Sequence, residues 1–428
     1  MEKDLKLDTP GTLFPAVTRK TNTSVYRIAA VLLRAVDPAA LQRAADSTLK
    51  RFPSFSVSFE TSAFGERLAH NAAPVVVREE TDYPCMMIDP QRENGHLLRI
   101  LYYGNRISLE AFHALADGIG AMELLKTLIY QYFLECGETL DAQGKIMMVD
   151  ENPRPEEMED AMLRYYRENA PKKNAQKREI AFKIKGTVFR PYGTNIVDGI
   201  LPVADLKAAA KRNNATITEY LTAVLIYSIY REEVNAELDH EPIVISVPAN
   251  LREIAKTKTL RNCFCIVNIS VPLKKKLTFE ETLRDVKAQF AQKMNRENLE
   301  SSIAESCGTF EHPIVKNVPR FMREAGTRFA FAFFAENLKT MTLSNVGQVD
   351  LPDDVKKRID RIEAVVYPTE RSPINCCMCS ANGKMVISFI RSIRETRVIR
   401  AFFGFLSREV DAKIEISTND WGKQNEAL

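Results

Sequence analysis

Residues 113–118, His-Ala-Leu-Ala-Asp-Gly, join two segments whose residue patterns differ. The segment before them, 106–112, alternates polar and apolar residues and predicts a half-buried strand. The segment after them, 118–137, has apolar residues at helical spacing and predicts a long helix. A corner between a strand and a helix can hold the imidazole of His113 rigidly at the mouth of a cleft. Asp117 is placed to lock that corner by binding an arginine from elsewhere in the chain.

On their own, these six residues also suit a structural histidine followed by an ordinary Asp-Gly turn. The pattern H-x-x-x-D-G nevertheless resembles the active-site motif of the CoA-dependent acyltransferase superfamily. That superfamily includes chloramphenicol acetyltransferase, plant ester- and amide-forming acyltransferases, peptide-synthetase condensation domains and bacterial alcohol acyltransferases. The motif lies about a quarter of the way along the 428 residues, as it does in single-chain members.

Two differences from the superfamily's motifs reduce the number of its groups that the chain resembles. The Asp-Phe-Gly-Trp-Gly phrase of the plant enzymes is absent, and the single tryptophan is Trp421 near the C-terminus. Phe112 stands where condensation domains have a second histidine before the motif. The chain therefore looks most similar to a freestanding bacterial alcohol acetyltransferase.

The resemblance implies an α/β (α+β) fold of two chloramphenicol acetyltransferase-like subdomains. Each would be a mixed sheet flanked by helices, with the active-site tunnel at their interface. We expect an N-terminal subdomain at 1–150 that carries the motif and a C-terminal subdomain at 180–428. The segment 151–179 between them has an acidic, turn-rich start and a basic close, and we interpret it as the interdomain segment.

Local patterns support alternating strands and helices in both halves. Asp37-Pro38 predicts the start of a helix over 38–50, and Gly104-Asn105 predicts the turn of a hairpin over 97–112. In the second half, Thr218 is predicted to cap a helix that runs to residue 230. The segment between the two subdomains predicts one helix over 158–169.

A second motif follows the dense β-branched run 243–247, which predicts a strand inside a sheet. Pro248-Ala249-Asn250-Leu251-Arg252 resembles the Pro-x-Asn-x-Arg phrase of bacterial and synthetase members. In that family the arginine pairs with the aspartate of the histidine motif, so the resemblance implies that Arg252 binds Asp117. Guanidinium groups suit this task because their planar fork can bind both carboxylate oxygens. By residue type alone, Arg252 also suits a surface position at a strand end.

Other candidate site residues come from weaker matches. Ser344-Asn345-Val346-Gly347 resembles a Ser-Asn-x-Gly phrase near the acyl site, so Ser344 and Asn345 are candidates for oxyanion or substrate contacts. A turn at a strand end is the alternative for this phrase. Asn250, in the phrase that ends at Arg252, is a third candidate for an oxyanion or substrate contact. Asn262 resembles the asparagine before a strand that lines the tunnel. The residues suggested to bind the CoA phosphates are Lys256, Lys258 and Arg261. The alternative is that these residues form a solvated basic loop.

Composition excludes several classes of function. Lysine and arginine total 59 against 56 acidic residues, and this net charge of +3 gives no support for a nucleic-acid partner. No apolar run is long enough to span a membrane, and the charged N-terminus lacks a signal core, so we expect a cytoplasmic protein. The eight cysteines lack zinc-site spacing, which predicts buried reduced thiols and no metal.

The resemblance also implies a mechanism. His113 would act as general base toward an alcohol or amine acceptor that attacks the thioester of acyl-CoA, and would return the proton to the thiolate. Gly118 would leave room for the substrate, and Asp117 would not touch it. Acyl-CoA is then a donor substrate, with no permanently bound cofactor, and a monomer is expected. Two alternatives stay open: a condensing enzyme that takes its donor from an acyl carrier protein, and an inactive relative that only binds a partner.

Overall fold

The computed structural model describes residues 4–419, apart from 63–64, 175–178, 236, 312–317, 319 and 411. Trp421 and part of the predicted basic close of the interdomain segment lie outside the described residues. The strands of the described residues are β1 (Asp4–Lys6), β2 (Val25–Leu32), β3 (Val57–Ser62), β4 (Gly65–His70), β5 (Arg78–Glu79), β6 (Leu98–Tyr103), β7 (Arg106–Phe112), β8 (Asn195–Pro202), β9 (Ile243–Asn250), β10 (Phe264–Val271), β11 (Met341–Gln348), β12 (Ile359–Val365), β13 (Ile374–Ala381), β14 (Lys384–Arg391) and β15 (Glu415–Thr418).

Helices alternate with these strands along most of the chain. In the described residues they are α1 (Leu13–Val17), α2 (Pro38–Arg51), α3 (Gly118–Glu135), α4 (Ala161–Asn169), α5 (Val203–Arg212), α6 (Ile217–Glu233), α7 (Arg252–Ala255), α8 (Phe279–Lys293), α9 (Arg296–Glu311), α10 (Arg320–Phe334), α11 (Asp353–Lys356) and α12 (Arg397–Glu409). Short 3-10 turns lie at Pro155–Met158 and Glu336–Leu338. Within this part of the chain, each helix is too short or too polar to cross a bilayer.

A five-stranded sheet positions the histidine motif. Its strand order is β12-β2-β7-β6-β5, and β7 pairs antiparallel with both β2 and β6. The β6–β7 hairpin turns at Gly104-Asn105, as predicted, because Gly104 adopts a positive φ of 56° that glycine allows without strain. The last residue of β7, Phe112, directly precedes His113, and α3 begins at Gly118. The predicted corner between a strand and a helix is therefore present.

A seven-stranded sheet forms the second layer of the molecule. Its order is β10-β9-β11-β13-β14-β8-β15, with β11 parallel to both β9 and β13 and the other pairs antiparallel. Helices α6, α8 and α12 cover it, and their apolar side chains share one core with the strands. Two mixed sheets flanked by helices confirm the predicted fold class.

Strand β12 connects the two layers. It follows β11 of the seven-stranded sheet in sequence, yet it pairs antiparallel with β2 at the edge of the five-stranded sheet. Val349, Leu351 and Val355, on the segment that leads into β12, are buried in the core of that sheet. The C-terminal part of the chain thus completes the sheet that carries the histidine, which the sequence patterns did not indicate.

Helix starts follow local capping chemistry. Asp37 caps α2 through the N–H groups of residues 39 and 40, with Pro38 in the first turn, as predicted. The prediction of Thr218 as a cap was wrong by two residues: Thr216 caps α6 in a reciprocal capping box with Glu219. The helix predicted over 158–169 begins later, at Ala161, because the carboxylate of Asp160 accepts the N–H of residue 163 and caps α4. Helices α9 and α10 were not predicted.

All eight cysteines are free thiols, seven of them buried and Cys136 partly buried. The motif Cys376-Cys377-Met378-Cys379 lies within β13, in the interior of the seven-stranded sheet. Burial raises the pKa of the Cys377 thiol to about 12, so this thiol stays protonated at neutral pH. Among the described residues, no three histidine, cysteine, aspartate or glutamate side chains are grouped as metal ligands would be.

Candidate active site

His113 lies where the end of β7 meets residues from the C-terminal half. Its backbone N–H donates to the carbonyl of Ser24 at 2.8 Å, which fixes the chain just before β2. Four aromatic rings surround the imidazole, at centroid distances from 4.4 to 6.5 Å: Phe14 stacked on one face, and Tyr26, Phe264 and Tyr367 at steeper angles. These rings desolvate the imidazole, and this burial lowers the pKa of His113 below its ordinary value of 6.5.

Asn262 contacts the Nδ1 edge of the imidazole. Its Oδ1 lies 3.1 Å from His113 Nδ1, and its Nδ2 donates to the His113 carbonyl at 3.0 Å and to both carboxylate oxygens of Asp8 at 3.2 Å. A reversed amide would set its oxygen against groups that only accept hydrogen bonds, so this orientation is the stable one. Nδ1 therefore carries the proton in the neutral ring, and Nε2 holds the lone pair. Within the described residues, Nε2 has no hydrogen-bond partner.

Asp117 is held by several donors at the start of α3. As N-cap, its Oδ1 accepts the N–H groups of Ile119 and Gly120 at 3.2 and 3.1 Å. Its Oδ2 accepts the N–H of Cys263 at 3.0 Å, from the segment that precedes β10. The carboxylate thus ties the histidine corner to the second half of the chain, and its oxygens are engaged with protein donors.

Arg252 completes this set of donors. Its two terminal nitrogens each lie 2.8 Å from a different oxygen of Asp117, in a bidentate pair whose side chains are 11% and 9% exposed. The guanidinium also donates to the carbonyls of Thr259 and Arg261. Burial alone would lower the pKa of Arg252, but the Asp117 carboxylate outweighs it and the pKa is raised. The structure therefore brings Asp117 and Arg252 together.

The two glycines at the start of α3 differ in the space around them. A Cβ on Gly120 would lie 1.7 Å from the carbonyl oxygen of Leu260, so no other residue fits there. A Cβ on Gly118 would meet only Val346 Cγ2, at an ordinary contact distance of 3.8 Å. The protein itself thus demands glycine at 120, whereas at 118 it leaves room for a methyl group.

The three remaining candidates lie on strands β9 and β11. Ser344 is half-buried on β11, beside the Cys377 thiol. Asn345 is exposed; its Nδ2 donates to Thr218 Oγ1 at 2.9 Å, and its Oδ1 accepts the N–H of Gly347 at 2.8 Å. Asn250 is also exposed, at the end of β9, and its Oδ1 accepts the backbone N–H of Arg252 at 3.1 Å. Val346 Cγ2 lies 3.8 Å from the position of a Cβ on Gly118, so the end of β11 is near the start of α3.

The three residues suggested to bind the CoA phosphates differ in their exposure. Lys256 and Lys258 are exposed, as expected of a solvated loop. Arg261 is 3% exposed, and its Nε lies 3.3 Å from Asp8 Oδ2. Its guanidinium also donates to the carbonyls of Lys6 and Met158. Arg261 is therefore part of the interior of the site rather than of a phosphate-binding surface.

Sequence reasoning missed Asp8, Tyr26 and Phe14. The hydroxyl of Tyr26, on β2, donates to the carbonyls of Ala116 and Asp117, so it holds the motif from the strand next to β7. Asp8 belongs to a short Asp-Thr-Pro-Gly stretch that reads as an ordinary turn. Nothing in that stretch signals a contact with residue 262, because the two positions are 254 apart and meet only through tertiary packing.

Comparisons with known proteins identify the fold. No protein-family model matches the chain, and no curated protein sequence matches it. Among solved structures, polyketide synthase associated protein 5 from Mycobacterium tuberculosis matches with a TM-score of 0.64 and 17% identity, over 94% of this chain and 96% of that one. TRI101 from F. graminearum, complexed with coenzyme A and deoxynivalenol, matches with a TM-score of 0.61 and 12% identity, over 96% and 99%.

A condensation domain gives a similar match. The starter condensation domain of rhizomide synthetase RzmA, a mutant in complex with C8-CoA and Leu-SNAC, has a TM-score of 0.56 and 11% identity, over 95% of this chain and 94% of that one. These identities are low, and the agreement is one of fold. The chain has the chloramphenicol acetyltransferase-like, condensation-domain-like fold that the resemblance implied.

Proposed function

We propose that this protein transfers an acyl group from acyl-CoA to a hydroxyl or amine acceptor, with His113 as the general base. One observation carries the proposal: the imidazole is held through Nδ1 by Asn262, and its Nε2 keeps a lone pair without a partner among the described residues. The donor is supported by the neighbours that are complexed with coenzyme A or C8-CoA.

The proton transfers follow from this geometry. Nε2 takes the proton of the acceptor as its oxygen or nitrogen attacks the thioester carbon. As the tetrahedral intermediate collapses, the C–S bond breaks and the imidazolium returns the proton to the CoA thiolate. A pKa held below 6.5 by burial keeps the ring neutral, and therefore able to accept a proton, at neutral pH. No covalent acyl-enzyme is needed.

Asp117 and Arg252 act as a structural ion pair in this proposal. Both oxygens of the carboxylate are occupied by Arg252 and by backbone N–H groups, so Asp117 fixes the corner and does not exchange protons with substrate. The developing oxyanion needs a donor, for which we propose Ser344 or Asn345. The distance of 3.8 Å between Val346 Cγ2 and the position of a Cβ on Gly118 supports this, because it puts that strand end near the start of α3.

The aromatic rings around His113 serve the same chemistry. Rings from four separate segments exclude water from the faces of the imidazole, which reduces competing hydrolysis of the thioester and strengthens the remaining polar contacts. The space beside Gly118 is where we propose that substrate approaches.

A thiol-release assay tests the proposal. Purified protein is mixed with acetyl-, medium-chain or long-chain CoA and a panel of alcohols and amines, and free CoA thiol is measured. We expect release that depends on the acceptor, together with an ester or amide product in mass spectrometry. If His113→Ala turns over at the wild-type rate, His113 is not the base and the mechanism is wrong.

Transfer from an acyl carrier protein is the second candidate, favoured by the structural match to the starter condensation domain. Presenting the same acyl group on CoA and on a carrier protein separates the two donors. An inactive binding relative would release no thiol from either donor.

We also expect a monomer located in the cytoplasm. Size-exclusion chromatography tests the oligomeric state, and cell fractionation tests the location.

A further inference from the structure

Asp8 is a buried carboxylate that the proposed mechanism does not use. It is 0% exposed and lies just before α1. Its Oδ1 accepts the N–H of Gly11 at 2.6 Å, and its Oδ2 accepts the N–H of Asn262 at 3.2 Å. Both oxygens accept Asn262 Nδ2, and Arg261 Nε is 3.3 Å from Oδ2. Asn262 is therefore bound to Asp8 through both its backbone and its side chain.

The turn that carries Asp8 packs directly on the histidine motif. A Cβ on Gly11 would lie 2.6 Å from Asp8 Oδ1 and 3.0 Å from the carbonyl oxygen of Ala114. A separate anchor holds the same turn: the backbone N–H and the hydroxyl of Thr9 donate to Asp160 Oδ2 at 2.7 and 2.8 Å. Asp8 and Asp160 thus fix one turn, but Asp8 is the one that contacts Asn262.

The carboxylate has a chemical property that an amide lacks in this position. An ionised carboxylate only accepts hydrogen bonds, so Asn262 must turn its Nδ2 toward Asp8 and its Oδ1 toward His113. Oδ1 accepts but cannot donate, so Nδ1 of His113 must carry the proton. The carbonyl of His113 favours the same orientation of Asn262, and Asp8 reinforces that orientation without touching the imidazole.

We propose that Asp8 is a positioning residue that, through Asn262, helps to select the Nδ1–H tautomer of His113 and leaves the Nε2 lone pair available as base. The proposal rests on the proposed function only for its effect on turnover. The choice of tautomer is a property of the protein without substrate.

The charges around Asp8 are consistent with this role. Burial and the nearby carboxylate of Asp160 raise the pKa of Asp8, and Arg261 and the N–H groups of Gly11 and Asn262 lower it; the result is about 6. Asp8 is therefore ionised at neutral pH even though burial disfavours its charge. A buried charge that weakens the fold is a common feature of functional sites.

The test uses ring-15N-labelled histidine and long-range 1H–15N NMR spectra, which report which ring nitrogen carries the proton. The sequence has five histidines, so His113 is assigned by its absence in His113→Ala. Wild type should show Nδ1–H. Asp8→Asn, which introduces a donor beside Asn262, should show a population of Nε2–H, and kcat should fall about 10–100-fold, as when a residue that orients a metal-bound histidine is lost.

Asp160→Asn is the matched control, because it weakens the same turn without touching Asn262. It should keep the Nδ1–H form. An Asp8→Asn protein that keeps only Nδ1–H overturns the proposal, and so does an Asp160→Asn protein with the same change of tautomer. If Asp8→Asn fails to fold because Arg261 has lost its anion, Asp8→Asn combined with Arg261→Gln removes the uncompensated cation, and the same tautomer change is expected.

The two proposals fail in different ways. A tautomer change in a protein that transfers no acyl group from any donor would refute the proposed function and leave the role of Asp8 intact. Active wild type with an unchanged tautomer in Asp8→Asn would do the reverse.

Discussion

Asp117 and Arg252 are 135 positions apart in the chain and form a bidentate ion pair with both N–O distances at 2.8 Å. The pair joins the start of α3 to the end of β9, and Asp117 follows His113 by four residues. Since Asp117 also accepts the N–H of Cys263, three segments meet at a single carboxylate. The position of the imidazole between the two layers depends on this junction.

Removing this carboxylate should destabilise the protein. Asp117→Ala leaves the largely buried Arg252 without its anion and removes the cap of α3, so we expect a loss of about 3–5 kcal/mol in the free energy of unfolding. Urea denaturation measures it. Asp82→Ala breaks an exposed pair with Arg92 and should cost less than about 1 kcal/mol. Equal midpoints for Asp117→Ala and wild type would mean that the pair does not hold the layers together.

Loss of the imidazole should affect turnover and spare the fold. His113→Ala is expected to lower kcat about 10²–10⁴-fold, the usual contribution of a general base. His70 is exposed at the end of β4 and offers a matched control, because His70→Ala should keep the wild-type rate. Circular dichroism checks that both variants are folded.

The pH dependence of kcat/KM should reflect the lowered pKa of His113. Activity requires the neutral ring, so the rate should fall on the acid side with a midpoint below 6.5. The same shift affects stability: the folded state binds fewer protons than the unfolded state, so this contribution is lost as pH falls below 6.5. An acid limb centred above 6.5 would contradict the burial argument.

The two glycines of α3 give a pair of opposite predictions. Gly120→Ala should strongly destabilise the protein, because its methyl group would overlap the Leu260 carbonyl oxygen. Gly118→Ala should fold with wild-type stability, and a raised KM for acyl-CoA would then indicate that substrate occupies the space beside Gly118. Thermal melting and steady-state kinetics distinguish the two. A stable Gly120→Ala protein would contradict the packing at this corner.

Asp8 should make the stability of wild type depend on pH. Its pKa is about 6 when folded and near the ordinary 3.8 when unfolded, so the folded state binds more protons between these values. Stability should therefore fall as pH rises from about 4 to about 6, by about 3 kcal/mol for this group. In Asp8→Asn that dependence should disappear. Parallel stability curves for the two proteins would contradict it.

Much of the local structure around the site is predictable from the chain. The β6–β7 hairpin, the corner at residues 113–118 and the start of α2 all depend on side chains within a few positions of each other. Alternation, helical spacing, a turn glycine and a capping aspartate are therefore sufficient evidence. The wrong cap predicted for α6 is also a local matter of two residues. Thr216 and Thr218 can each cap a helix, but only Thr216 has Glu219 at the third helical position.

The residues that surround the imidazole could not be predicted from local sequence patterns. Arg261 read as a loop residue, and the structure buries it against Asp8. Strand β12 read as part of the C-terminal half, and it pairs with β2. Each of these contacts joins distant segments, and its formation depends on how the whole sheets pack rather than on the residues nearby.

The sequence by itself determined the chemical groups and their order along the chain: a histidine at a strand end, an aspartate before the next helix, and an arginine after a buried strand. Only the tertiary structure decided which nitrogen of His113 is held, by which amide, and which carboxylate orients that amide. The physical reason is that hydrogen-bond direction depends on atoms brought within about 3 Å of each other. Asp8, His113 and Asn262 belong to segments far apart in the chain and come that close only through tertiary packing.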